Sequence, residues 1–137
     1  MENQKIIVKA TVDASTEKVW QHWNEPKHIT QWNHASDDWH TPHAENDLRV
    51  GGKFLSRMEA KDGSFGFDFE GVYAEIISLK KIKYTLEDGR EVENTFNENG
   101  EMTDILTKFD AENENPIEMQ KDGWQAILNN FKQYIEQ

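Results

Sequence analysis

The chain of 137 residues contains no cysteine. Disulfide scaffolds, thiolate metal sites and a cysteine nucleophile are therefore excluded. Proline occurs only 3 times, and cations are scarce: 15 Lys plus Arg stand against 26 Asp plus Glu, a formal net charge of −11 with His neutral. The acids are spread along the chain without forming a tail. A surface of that sign repels phosphate backbones and acidic headgroups, which argues against nucleic acid and membrane surfaces as partners. Also missing are any run approaching about 18 apolar residues and, in the opening MENQKIIVKATV, a basic region leading into a long apolar stretch. A cytoplasmic protein is the expectation. GxSxG, a phosphate-cradling glycine loop, a dinucleotide fingerprint and HExxH are all absent.

What is present is most legible at the end of the chain. Trp124, Ile127, Leu128, Phe131, Tyr134 and Ile135 recur at three- and four-residue steps, which gathers them on one side of a helix; Gln125, Asn129, Lys132, Gln133 and Glu136 take the other. The pattern predicts a helix over residues 116–136, with Asn115 as N-cap, Pro116 in the first helical position and Glu118 reaching back as in a capping box. Gly123 is costly inside a helix, so close approach of another element is expected there.

Upstream, KIIVKATV at residues 5–12 is β-branched and puts Ile6, Val8, Ala10 and Val12 on one face of a strand. Two short helices follow. The first starts at Ser15 or Thr16, runs to Trp23 and turns Val19, Trp20 and Trp23 inward; the second starts at Pro26 and ends near Trp32. A short strand is expected near residues 40–45. Gly51-Gly52, Asp62-Gly63, Asp88-Gly89 and Asn99-Gly100 then separate alternating runs over residues 54–60, 65–77, 81–87, 91–97 and 102–111. Strands joined by such turns are antiparallel neighbours, so residues 40–111 form a six-stranded meander, with the first strand at an edge. The fold class is α+β in the order β-α-α-β6-α, one domain over residues 1–137, in which a twisted sheet curls around the long helix. Because a curved sheet and a straight helix do not match along their whole length, a cavity between them is expected.

This order resembles the START-like (SRPBCC, helix-grip) superfamily that includes the birch-pollen allergens and polyketide cyclases. Within it the chain is similar to the branch named for the C-terminal domain of the activator of heat-shock-protein-90 ATPase. The resemblance is carried by Val12-Asp13-Ala14-Ser15 through Val19-Trp20 and Trp32, by Asp47-Leu48-Arg49-Val50-Gly51-Gly52-Lys53-Phe54, by Phe69-Glu70-Gly71-Val72-Tyr73-Ala74-Glu75-Ile76, and by Gly123-Trp124 with Ile127-Leu128 and Phe131. It implies a ligand-sized cavity between sheet and helix, and no shared catalytic set. The full eukaryotic activator carries in addition a large N-terminal domain, and this chain is expected to correspond to its C-terminal domain alone.

Five Trp, seven Phe and three Tyr are many for a core of this size, and rings dominate the walls of apolar ligand sites. The candidate lining is Trp39, Phe54, Met58, Phe67, Phe69 and Tyr84 from the sheet, with Trp124, Leu128 and Phe131 from the helix. A small hydrophobic molecule is the expected ligand. A heat-shock-protein-90-type chaperone is the alternative partner, and a cyclase- or hydrolase-like enzyme is the third reading. His22, His28, His34, His40 and His43 fall at no metal-ligand spacing, so no metal and no cofactor are expected. Asp68 and Glu70, with Asp104 nearby in the meander, are the available carboxylates. Asp68 and Glu70 alternate against Phe65, Phe67 and Phe69 and so point to solvent; no catalytic residue is assigned. Asp47 and Arg49 are expected to brace the Gly51-Gly52 turn.

Overall fold

The computed structural model describes residues 4–137. The elements run β1 (Lys5–Val12), α1 (Thr16–Asn24), α2 (Pro26–Trp32), β2 (Trp39–Asn46), β3 (Lys53–Ala60), β4 (Gly66–Ile77), β5 (Lys81–Leu86), β6 (Glu91–Asn99), β7 (Met102–Asp110) and α3 (Ile117–Ile135). All seven strands form one antiparallel sheet in the order β1-β7-β6-β5-β4-β3-β2, curled into a half-barrel. The meander is complete, and β1 closes onto β7 at one edge, with Ile6 opposite Phe109 and Val12 opposite Thr103.

Local chemistry explains the element ends. The Ser15 side chain caps α1 by accepting from Lys18 N at 3.2 Å. Glu25 closes α1 and opens α2, where Pro26 occupies the first helical position and gives up no needed donor. Asp47 accepts from Arg49 Nε at 2.9 and 3.0 Å beside the turn in which Gly51 takes φ +84°.

The start of α3 differs from expectation. Pro116 is the N-cap and has no side-chain capping bond. Asn115 is instead tied into the preceding loop: its N–H donates to Glu112 Oε1 at 2.8 Å and its carbonyl accepts from Gln120 Nε2 at 2.8 Å. Gln120 also bonds both backbone groups of Glu112, so the entry is fixed from inside the helix, and Glu118 stays exposed. Gly123 is a second correction, because a Cβ there would meet nothing within 4 Å.

The polar side of α3 has a use that periodicity does not show. Gln125 pairs with the backbone of edge strand β1, accepting from Lys9 N at 3.4 Å and donating to Lys9 O at 3.1 Å. Lys132 Nζ donates to Thr11 O at 2.8 Å, and Glu136 accepts from Asp13 N at 2.8 Å. An unpaired edge invites association with other chains, and here the helix occupies it.

Two register shifts shape the sheet, one in β2 between His40 and His43 and one in β4 between Tyr73 and Glu75. The second reverses parity: Phe69 and Tyr73 face inward before it, whereas Ile76 packs on the core after it. Gly71 in the same strand admits a close neighbour. A Cβ there would lie 2.9 Å from both the Phe54 ring and Thr85 O, so the missing side chain lets Phe54 lie against β4.

Candidate functional site

The core is densest where β1, β7 and β6 meet α1 and α3, with Val12, Val19, Phe96, Ile105, Phe109 and Phe131 all but sealed from solvent. Trp23 lies edge-on to Phe96 and Phe131 at 5.4 and 5.0 Å, and Trp32 meets Phe131 at 4.9 Å. Towards β3, β4 and β5 the packing opens into a cavity of about 230 Å³ bounded by the sheet, α2 and α3.

Its walls are mostly rings. Phe54 contacts Tyr84, Tyr73 and Phe69 at 4.6, 5.5 and 5.8 Å, and Trp124 bridges the two regions, stacked on Phe109 at 4.0 Å and edge-on to Phe69 at 6.1 Å. A short polar chain runs along the β2 side: Tyr73 Oη donates to Asn46 Oδ1 at 2.5 Å, and Asn46 Nδ2 donates to Asn24 O at 2.7 Å. Deeper in, Thr107 Oγ1 donates to Asn94 Oδ1 at 2.7 Å. Burial pushes the Tyr73 and Tyr84 phenols up from their ordinary values, so both remain neutral hydroxyls. Lys, Arg and His are absent from the lining among the described residues, and Glu45 is its only carboxylate.

Of the residues singled out from the sequence, Phe54, Phe67, Phe69, Tyr84, Trp124 and Leu128 border this cavity. Trp39, Met58 and Phe131 do not. Trp39 packs with Phe65 and Phe67 at 6.0 and 6.1 Å on the outer end of the sheet, where Phe65 is 62% and Phe67 40% exposed. Met58 is buried elsewhere in β3, and Phe131 is fully enclosed by the tryptophans of α1 and α2. Sequence reasoning missed Tyr73 and Ile82, which share inner parity with Phe69 and Tyr84. It also missed the polar residues Ser56, Asn94 and Thr107. These had a signal: each sits between two inward apolar residues, Phe54 and Met58, Val92 and Phe96, Ile105 and Phe109.

The other ionisable candidates disperse. Asp68 pairs with Arg57 at 3.3 Å on the outer face, and Glu70 is held above its ordinary value chiefly by a hydrogen bond with Glu87. Asp104 accepts from Thr11 at 2.8 Å, away from both. His22 stacks on His28 at 3.9 Å, and His28 Nδ1 lies 2.6 Å from Tyr134 Oη. His40 and His43 pair with Glu59 and Glu45 at 3.8 and 2.8 Å. Burial lowers His34, whose Nδ1 has no partner among the described residues. Among those residues no three His, Asp or Glu side chains converge as metal ligands would, and no helix is long and apolar enough to cross a membrane.

Residues 13–136 match the model of the activator of Hsp90 ATPase homolog 1-like protein family. The chain belongs to that family. Two solved structures of similar size are close counterparts to the fold. The solution structure of the AHSA1-like protein from Aeromonas hydrophila is 43% identical with a TM-score of 0.91, covering 97% of this chain and 92% of that one. The solution structure of Chr148 from Cytophaga hutchinsonii is 53% identical with a TM-score of 0.84, covering 96% and 92%. A protein from Chromobacterium violaceum, at 21% identity and a TM-score of 0.85, shares the fold, covering 98% of this chain and 99% of its own. No curated protein matches. Membership in the activator-like family places the chain in the START-like superfamily, compatible with ligand binding or a co-chaperone-like role.

Proposed function

We propose that the protein binds a small hydrophobic molecule in the cavity between the sheet and α3, acting in the cytoplasm as a non-enzymatic or weakly catalytic binding module. The observation that carries this reading is the cavity itself. Its walls are aromatic and its volume is about 230 Å³. Burying apolar ligand surface there at about 25 cal/mol per Å² supplies affinity, while the few polar groups set orientation. No catalytic residue is proposed, because Glu45 stands in the lining without a second carboxylate and pairs with His43, while Asp68 and Asp104 lie on the outside of the sheet or apart.

The test is a thermal-shift and NMR screen of lipids, flavonoids and polyketide-like compounds. Hits are expected to perturb the resonances of Phe54, Phe69, Tyr84 and Trp124. Ligands that shift only outer-face residues, or a screen without a hit, would contradict the reading. A second reading, stimulation of a heat-shock-protein-90-type ATPase, is favoured by the family match over residues 13–136. It requires docking through the acidic outer surface, and an ATPase assay with and without this protein decides it.

A further inference from the structure

The inner face of β6 reads Val92, Asn94, Phe96, with exposures of 1%, 2% and 1%. Placing a carboxamide at the middle position of such a row is costly unless both ends of the amide are satisfied. One end is: Asn94 Oδ1 accepts from Thr107 Oγ1, which comes from the facing position of β7. The Nδ2 hydrogens have no protein acceptor among the described residues, and Asn94 borders the cavity. Tyr84, on the neighbouring strand, and Ser56, only 5% exposed on β3, also line the cavity without a side-chain hydrogen bond among the described residues.

We infer that Asn94 is the ligand-recognising donor of this cavity, and that the molecule it selects is neutral and carries a carbonyl-type acceptor oxygen. The inference rests on the container function proposed above and narrows its ligand class. An acceptor on the ligand is favoured because both Nδ2 hydrogens of Asn94 are unspent while its oxygen already accepts from Thr107 and keeps one lone pair; the Ser56 and Tyr84 hydroxyls can rotate to donate as well. Neutrality follows from the lining. A carboxylate ligand would be desolvated with no cation beside it and with Glu45 of like charge on the wall. The same groups that favour a ketone or amide therefore reject its acid counterpart, as expected of sites whose buried polar atoms must be paired.

Three probes of matched shape test this: 2-acetylnaphthalene, 2-isopropylnaphthalene and 2-naphthoate, titrated by calorimetry with NMR detection of the Asn94 side-chain amide. The ketone should bind about tenfold more tightly than the hydrocarbon, the size of one net hydrogen bond, and at least about 100-fold more tightly than the carboxylate. Asn94→Leu should erase the preference for the ketone, bringing the ratio of ketone to hydrocarbon affinity down to about one. Should that variant not fold, the wild-type readout stands by itself: the Asn94 Nδ2 resonances move with the ketone and not with the hydrocarbon. Equal binding of ketone and hydrocarbon, with silent Nδ2 resonances, overturns the inference and leaves the container function intact. Tight binding of 2-naphthoate overturns neutrality. Failure of all three to bind overturns both the inference and the function beneath it.

Discussion

On the side of the sheet formed by β1, β7 and β6, inward side chains such as Val12, Phe96, Ile105 and Phe109 are nearly inaccessible, whereas on the side formed by β3, β4 and β5 the equivalent positions hold Phe54, Phe69 and Tyr84, only partly buried. Both sides face the same interior. The difference comes from where α3 lies: its backbone runs beside β1, bonded to that strand through Gln125 and Lys132, and the far side of the curl bends away from it. Large rings reach across the gap without filling it. One flank thus behaves as a close-packed core and the other as a wall around empty volume, and the two should respond differently to the same kind of truncation.

The largest effect is expected on the packed flank. Phe131→Ala removes a fully enclosed ring from between Trp23 and Trp32 and should cost about 3–5 kcal/mol in denaturant unfolding. Phe54→Ala, which removes a ring of the same size from the cavity wall, should cost about 1–2 kcal/mol, since much of what it touches already borders free space. Equal losses in the two variants would erase the distinction between flanks. Gly123→Ala should stabilise by about 1 kcal/mol, because its new methyl meets no atom and the helix gains a better former. A destabilised Gly123→Ala variant would mean that something does approach α3 there.

The smallest effect concerns pH and the place where α1, α2 and α3 meet through His22, His28 and Tyr134. Burial first, and then the neighbouring His22, hold His28 below its ordinary value of 6.5. The unfolded chain therefore binds this proton more readily than the folded one, so stability rises with pH through this window. The contribution is complete above the unfolded value and is lost as pH falls from there through the lower folded value. Unfolding measured from about pH 7.5 to about pH 5.5 should show that slope, and His28→Gln should reduce it. His34, lowered mainly by burial, retains its own share. An unchanged slope in His28→Gln would place the titration elsewhere.

Much of this fold could be read along the chain because the signals were local. The Asp-Gly and Asn-Gly turns mark the β3–β4, β5–β6 and β6–β7 corners within a residue or two, Ser15 and Pro26 mark the helix starts, and the heptad-like row from Trp124 to Ile135 defines α3. The start of α3 was misread because Asn115, Pro116 and Glu118 satisfy a capping pattern that Gln120 and Glu112 override from outside its reach. The six candidate lining residues that do border the cavity follow from parity within their own elements. Trp39 and Met58 do not, since the shift in β2 and the position along the strand, not the face alone, decide which side chains reach the hollow.

By itself the amino-acid order determined the succession of strands and helices, their antiparallel pairing and the family, because turn chemistry and apolar periodicity act over a few residues. The tertiary structure alone decided that the outer row of α3 would seal the β1 edge, that a bulge at Tyr73–Glu75 would reverse the face of β4, and that Ser56 and Asn94 would come to border one cavity. Those outcomes depend on how far a curled sheet departs from a straight helix, a distance set by every strand at once and written in no single segment.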